Sequence, residues 1–249
     1  MIRWLTAFLD FPEDDFDRGC VFWEAISNTK PSPRRGEHNE FLTLIPMSGD
    51  AYMRVQRVRS AHPKVHLDVH TDQRASLTKR ALDFGAVQLA DHGYVVLRSP
   101  GGFVFCIVSH HGEQTRPCTV ESSRHLPSLV DQLAIDIPHH LFESETTFWE
   151  SFTGQEGHRT ARSEFQVLAR QEGMPLRILL HRVELSDERE FVSAHLDIAC
   201  GDQAQDIAIQ HAVLGAEIGT VHENWTTMTD PTGMAYCLTR RNPVTGLLP

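Results

Sequence analysis

Apolar and polar positions along the chain switch repeatedly between a strand-like and a helix-like period. Leu5 to Phe11 is a short apolar run closed by Pro12, which predicts a buried strand. The next stretch places Phe16, Cys20, Trp23 and Ile26 at steps of 4, 3 and 3. That spacing is one apolar face of a helix, and Asp14 and Asp15 put negative charge at its start, against the unpaired amides. The Pro-, Arg- and Gly-rich segment from Lys30 to Asn39 is expected as an exposed loop. Phe41 to Ile45 and Tyr52 to Val58 follow as strands joined by a turn at Met47 to Asp50.

After a break at Pro63, Val65 to Val69 reads as a strand. Thr71 or Asp72 can cap a helix whose apolar side is Leu77, Ala81, Leu82 and Phe84, and Gly85 supplies its left-handed stop. Strands at Ala86 to Leu89, Gly93 to Leu97 and Phe103 to Val108 complete the series, with Gly101 and Gly102 turning the last hairpin.

The pattern then returns. His66-Leu67-Asp68-Val69 is matched by His195-Leu196-Asp197-Ile198, Gly85-Ala86 by Gly215-Ala216, and Pro100 to Cys106 by Pro231 to Cys237. Phe22-Trp23-Glu24 has its counterpart in Phe148-Trp149-Glu150, 126 residues on (149 minus 23). Strands at Leu133 to Ile137, Phe165 to Ala169 and Leu176 to Leu185, and a helix from Glu143 to Phe152, fill the second copy. A duplicated fold of four strand-helix-strands units follows. Its expected division is an N-terminal domain over 1–111, a linker over 112–128 rich in Pro, Gly and Ser, and a C-terminal domain over 129–249.

Composition narrows the function classes. With 249 residues, 41% hydrophobic and 22% charged, the chain can build two domains of ordinary size. A net charge of -10 repels polyphosphate, and the lone basic cluster, Arg34-Arg35, falls in the expected loop, so nucleic acid is not the expected partner. No run of 18 apolar residues occurs and the N-terminus reads as a strand, so no membrane partner and a cytoplasmic location are expected. Five cysteines without paired spacing point to reduced thiols rather than a disulfide framework.

On the duplicated motifs just given, the chain resembles the vicinal oxygen chelate superfamily, specifically its glyoxalase/bleomycin resistance/dioxygenase domains. The resemblance implies an α+β fold of four βαβββ units forming two glyoxalase-like domains with curved mixed sheets. In metal-using members the inner face of each cup presents ligands for an ion that chelates an oxygen-rich substrate. The matching positions here are Phe8, Gln56, His66 and Cys106 in the first half and Ala134, His181, His195 and Cys237 in the second. Cys106 stands where those members carry glutamate and Phe8 cannot bind a metal, so Gln56, His66 and Cys106 are expected to line a cup without metal. His181, His195 and Cys237 are the expected ligands of a divalent metal, with Asp197 orienting His195. Two imidazoles and a thiolate suit zinc ahead of iron, manganese or nickel. The competing reading is no metal at all, since free cysteine is among the most buried residue types.

His66 with Asp68, and His195 with Asp197, stand two apart on a strand and so share a face. Each pair reads as a ligand with its orienting carboxylate, as a base with its partner, or as a polar pair closed by hydrogen bonds. Tyr94 and Trp225 are candidates for aromatic cup walls, with core packing as the alternative. The expected function is binding of an oxygenated small molecule, with metal-dependent lyase, isomerase or dioxygenase chemistry, by a monomer or homodimer. The alternative is non-catalytic sequestration of a drug or metabolite, as in bleomycin-resistance proteins.

Overall fold

Four times the chain runs strand, helix and three further strands. The first module is β1 (Ile2–Pro12), α1 (Phe16–Ser27), β2 (Lys30–Pro31), β3 (Phe41–Ile45) and β4 (Met53–Val58). The second is β5 (Lys64–Thr71), α2 (Arg74–Asp83), β6 (Val87–Asp91), β7 (Val95–Arg98) and β8 (Val104–Ser109). After β9 (Val120–Glu121), the third is β10 (Pro127–Ile137), α3 (Phe142–Thr153), β11 (Gly157–Arg159), β12 (Phe165–Leu168) and β13 (Arg177–Arg182). The fourth is β14 (Ser193–Ala199), α4 (Ala204–Val213), β15 (Glu217–Val221), β16 (Trp225–Thr229) and β17 (Ala235–Thr239). This computed structural model describes residues 1–121 and 126–249, so part of the segment expected as a linker, residues 122–125, lies outside the described residues.

The modules pair into two open mixed sheets. Their strand orders are β2-β3-β4-β1-β5-β8-β7-β6 and β11-β12-β13-β10-β14-β17-β16-β15, with β9 added beside β10. Strands β5 and β8 run parallel, as do β14 and β17, while the outer hairpins are antiparallel. The fold is therefore α+β with two glyoxalase-like halves. Strands β1 and β10 lie in mid-sheet and are buried along almost their whole length. Apolar runs without alternation are what a strand covered on both faces requires.

Two local details depart from the sequence reading. Lys30 and Pro31, expected in a loop, form a two-residue edge strand beside Leu44 and Ile45. An edge tolerates proline, which has no amide to donate. At α2 the residue before the first turn is Gln73, and Thr71 Oγ1 accepts the Gln73 amide at 3.1 Å instead of capping the helix itself. Gly85 and Gly215 do end their helices in the left-handed region, at φ 98° and 100°.

By compactness the chain divides into two units. One comprises Met1–Ala7, His66–Thr115 and Leu133–Ala194, and the other Phe8–Val65, Arg116–Gln132 and His195–Pro249. Each unit thus draws on both halves of the sequence. In the first, α3 lays Phe148, Trp149 and Phe152 against Phe105 of β8, with centroid separations of 5.9, 5.4 and 5.1 Å. Trp149 Nε1 donates to buried Glu145 at 2.9 Å, and the Gly101 amide donates to the same carboxylate. Burial lifts the Glu145 pKa above the ordinary carboxylate value against the pull of these donors.

In the second unit, α1 lays Phe22 and Trp23 against Tyr236 of β17, at 6.0 and 5.5 Å. Trp23 Nε1 donates to Asp230 at 2.9 Å, whose other oxygen collects the amides of Thr232 and Met234 at 2.7 and 3.0 Å. Buried indole N–H groups need an acceptor, and each duplicate tryptophan finds a different carboxylate.

Candidate functional site

Strand alternation sorts β5 into Val65, Leu67 and Val69 on one face and His66, Asp68 and His70 on the other. The parallel ladder then brings Cys106 beside Asp68, and in the fourth module Cys237 beside Asp197. Each histidine sits one strand repeat from its aspartate. Two groups of potential ligand atoms result, His66 with Asp68 and Cys106, and His195 with Asp197 and Cys237, each with all atoms within 4.8 Å of one another.

In the second group, Cys237 Sγ lies 3.4 Å and Asp197 Oδ1 3.2 Å from the same nitrogen, His195 Nε2. A nucleophilic triad uses opposite ring nitrogens for the nucleophile and the orienting acid. Here both approach one nitrogen, which is convergence on a common point. Bond lengths of about 2.0–2.3 Å to a tetrahedral ion imply ligand-to-ligand separations of about 3.3–3.6 Å, close to those found. Asp197 Oδ1 is buried and accepts no hydrogen bond among the described residues. A buried, unbonded carboxylate oxygen beside an imidazole and a thiol fits a divalent cation, and the nitrogen, oxygen and sulfur donor set fits one of zinc type.

The other Asp197 oxygen is held firmly. Gln132 Nε2 donates to Oδ2, and Arg241 Nη1 stands 3.5 Å from it. Arg241 also donates through Nη2 to Asp131 Oδ1. Burial works to raise the Asp197 pKa, but the imidazole of His195, the Arg241 guanidinium and the Gln132 amide outweigh it and hold the carboxyl below its ordinary value. The group is thus kept ionised, the form a cation needs.

In the first group, His66 Nε2 is 3.8 Å from Asp68 Oδ1, and all three residues are buried. Next along β5, His70 Nε2 shares a hydrogen bond with Thr6 Oγ1 at 2.9 Å, while Nδ1 faces Glu113 Oε1 at 3.7 Å.

The remaining candidates are placed as follows. His181 lies on β13 with Nδ1 2.8 Å from Asp136 Oδ1 and its ring 4.8 Å from that of Phe165. The ligand-atom group around His195 and Cys237 contains Asp197, not His181. Gln56 is half-buried on β4 opposite Phe41. Tyr94 is exposed in the bend before β7, its ring 5.8 Å from that of His92. Trp225 opens β16 and stacks on His222 at 4.3 Å. Asp131, Gln132 and Arg241 escaped the sequence reading. The signal for the first two was a polar pair interrupting the apolar run Leu129-Val130 and Leu133-Ala134.

Tandem βαβββ modules carrying polar, metal-compatible groups on parallel central strands define a protein of the vicinal oxygen chelate class. Residues 6–108 and 132–239 both match the glyoxalase-like domain family, and the chain belongs to it. No curated protein matches the chain. Among solved structures it is similar to the 2,3-dioxygenase LapB from Pseudomonas sp. KL28, with 10% identity, TM-score 0.64, and 96% of this chain and 92% of that one covered. It is also similar to 2,2',3-trihydroxybiphenyl 1,2-dioxygenase from Sphingomonas wittichii strain RW1, with 12% identity, TM-score 0.63, and 96% and 90% covered. A xylose isomerase-like TIM barrel/4-hydroxyphenylpyruvate dioxygenase fusion protein matches at 13% identity and TM-score 0.57 over 95% of this chain, which spans 48% of the fusion. At these identities the likeness is one of fold. No helix among the described residues is long and apolar enough to cross a membrane.

Proposed function

We propose that the chain is a metal-dependent enzyme acting on an oxygenated small molecule, with His195, Asp197 and Cys237 as the ligands of a zinc-type ion. The observation that carries this reading is the approach of buried Cys237 Sγ and buried Asp197 Oδ1 to Nε2 of half-buried His195, at 3.4 and 3.2 Å. Such an ion, when bound, supplies Lewis acidity toward adjacent substrate oxygens. The chain's own part is orientation. Gln132 and Arg241 fix Asp197 Oδ2, which leaves Oδ1 aimed at the imidazole. Asp131 balances the guanidinium so that Asp197 keeps its charge.

A thiolate among the donors favours a redox-inert ion, and with it lyase or isomerase chemistry over oxygen activation, for which two imidazoles and one carboxylate are the usual set. A dioxygenase is the second reading, supported by the solved structures that share the fold.

Elemental analysis of untagged protein tests the proposal. His195→Ala and Cys237→Ser should each carry one ion per chain fewer than the wild type. Equal metal content in all three, or none after loading with zinc, iron, manganese or nickel, would refute it.

A further inference from the structure

We propose that two copies of this chain pair through the helix side of the fourth module, with α4 of each copy seated on the edge strand β15 of the other. The proposal does not depend on the metal reading.

Two uncovered apolar surfaces meet in this module. Burial within α4 falls on Ala204, Ile207, Ala208 and His211, which leaves Ile209 and Val213, one turn apart, facing outward. His211 bonds Tyr236 of β17, so the Tyr236 face of the sheet is the one that α4 covers. Directly opposed cross-strand residues share a face, and the register runs from Tyr236 to Met228 to Ile218 and from Leu238 to Thr226 to Val221. Met228 and Thr226 are buried, whereas Ile218 and Val221, on the last strand of the sheet, are exposed. The helix therefore stops short of the margin and leaves an aliphatic ledge beside it, next to exposed Leu214 at the end of α4.

The duplicate module shows what this surface carries when it faces water. With Gly85 and Gly215 as equivalents, α2 and β6 align with α4 and β15 without a gap. Leu77 and Ala81 are buried where Ile207 and His211 are buried, so the two helices turn the same side inward. Where α4 exposes Ile209 and Val213, α2 exposes Lys79 and Asp83, joined in an ion pair. Where β15 exposes Ile218 and Val221, β6 exposes Gln88 and Asp91. Phe84 and Leu214 are apolar in both. One backbone thus bears a polar surface in the first half and an aliphatic one in the second.

The occupant that fits is a second copy. A ledge on the helix side of a sheet takes an apolar helix, and the outer row of α4 is an apolar helix face in need of cover. One chain cannot satisfy both with its own α4, but a two-fold axis satisfies both twice. Charge agrees, since an isologous contact brings like charges together, and the exposed outer side of α4 with the ledge carries one charged side chain, Asp206, among the described residues. So does area. Ile209, Val213, Leu214, Ile218 and Val221 are 45–82% exposed. Together they offer roughly 450 Å², most of the apolar share, about 65%, of the roughly 800 Å² that each partner buries in a standard interface.

Sedimentation equilibrium of the full chain, from nanomolar to tens of micromolar, tests the proposal. The wild type should be a dimer in the micromolar range. Ile209→Lys with Val213→Asp installs on α4 the ion pair that α2 already carries, and should weaken the dimer by about a hundredfold or more without altering the circular dichroism. Ile218→Gln with Val221→Asp copies β6 onto β15 and should do the same, which decides the matter if the first variant does not fold. A wild type that stays monomeric at tens of micromolar overturns the proposal, whatever other protein this face then holds. A dimer that both double variants leave as tight as the wild type overturns it as well, because its contact then lies elsewhere.

Discussion

Arg241 offers the sharpest test of how the candidate site is held. Its side chain is 5% exposed and that of its partner Asp131 1%. Burial disfavours the guanidinium, yet Asp131 and Asp197 together raise its pKa above the ordinary value, so it is charged throughout the accessible range. Arg241→Met keeps much of the apolar stem and removes the charge, which leaves Asp131 buried without its cation and Asp197 with one partner fewer. Removing one member of a buried pair costs about 3–5 kcal/mol. For a chain of this size, about 2–4 °C of melting temperature accompanies each kcal/mol, so a fall of roughly 6–20 °C is expected. Adding Asp131→Asn removes the stranded charge and should recover about half of the loss. Urea unfolding of the wild type, both single variants and the double variant supplies the complete cycle. An Arg241→Met protein within about 1 kcal/mol of the wild type, or a double variant no more stable than Arg241→Met, would show that the pair does not hold the site.

Two further outcomes follow from buried groups of the second unit. Burial lowers the His211 pKa from 6.5 to about 4, where its Nδ1 shares a 3.0 Å hydrogen bond with Tyr236. The folded state resists protonation, so this contribution is complete above pH 6.5 and is lost as pH falls toward 4, by roughly 3 kcal/mol at 1.36 kcal/mol per pH unit. His211→Gln should flatten the stability profile across that window, and an unchanged slope would count against the assignment. Gly19→Ala sets helix propensity against packing. Alanine favours α1 by about 1 kcal/mol, but its Cβ would stand 2.6 Å from the Phe11 ring, an overlap costing about 1–3 kcal/mol. The variant should be no more stable than the wild type, and Phe11→Leu in the same chain should relieve the clash; a clear rise in melting temperature for Gly19→Ala alone would contradict the packing.

Much of this architecture could be read from the sequence because each module announces itself locally. The helix spacing of Phe16, Cys20, Trp23 and Ile26, the glycine stops at 85 and 215, and the paired His-Leu-Asp strands all act within about a dozen residues. Trp23 and Trp149 were legible as core for the same reason, but their acceptors were not. Asp230 lies 207 residues from Trp23 on another module, and Glu145 stands within the helix of Trp149 itself. The candidate site shows the same divide. His195, Asp197 and Cys237 could be named, but the parallel register that puts Asp197 directly beside Cys237 belongs to the ladder and not to either strand alone. Arg241 and Asp131 are 110 residues apart, and neither carries a local mark of its partner.

The division of each compact unit between both halves of the chain bears on how the protein is made. Trp23 enters the growing chain early, while Asp230 and Tyr236, which cover and anchor it, are added more than 200 residues later. At about 5–20 residues per second, that interval is roughly 10–40 s. Throughout it the aromatic face of α1 has no native partner from β17 to cover it. The late strands therefore set the pace of folding, and a chain stalled short of them presents Phe22 and Trp23 to whatever holdase or neighbouring nascent chain is at hand.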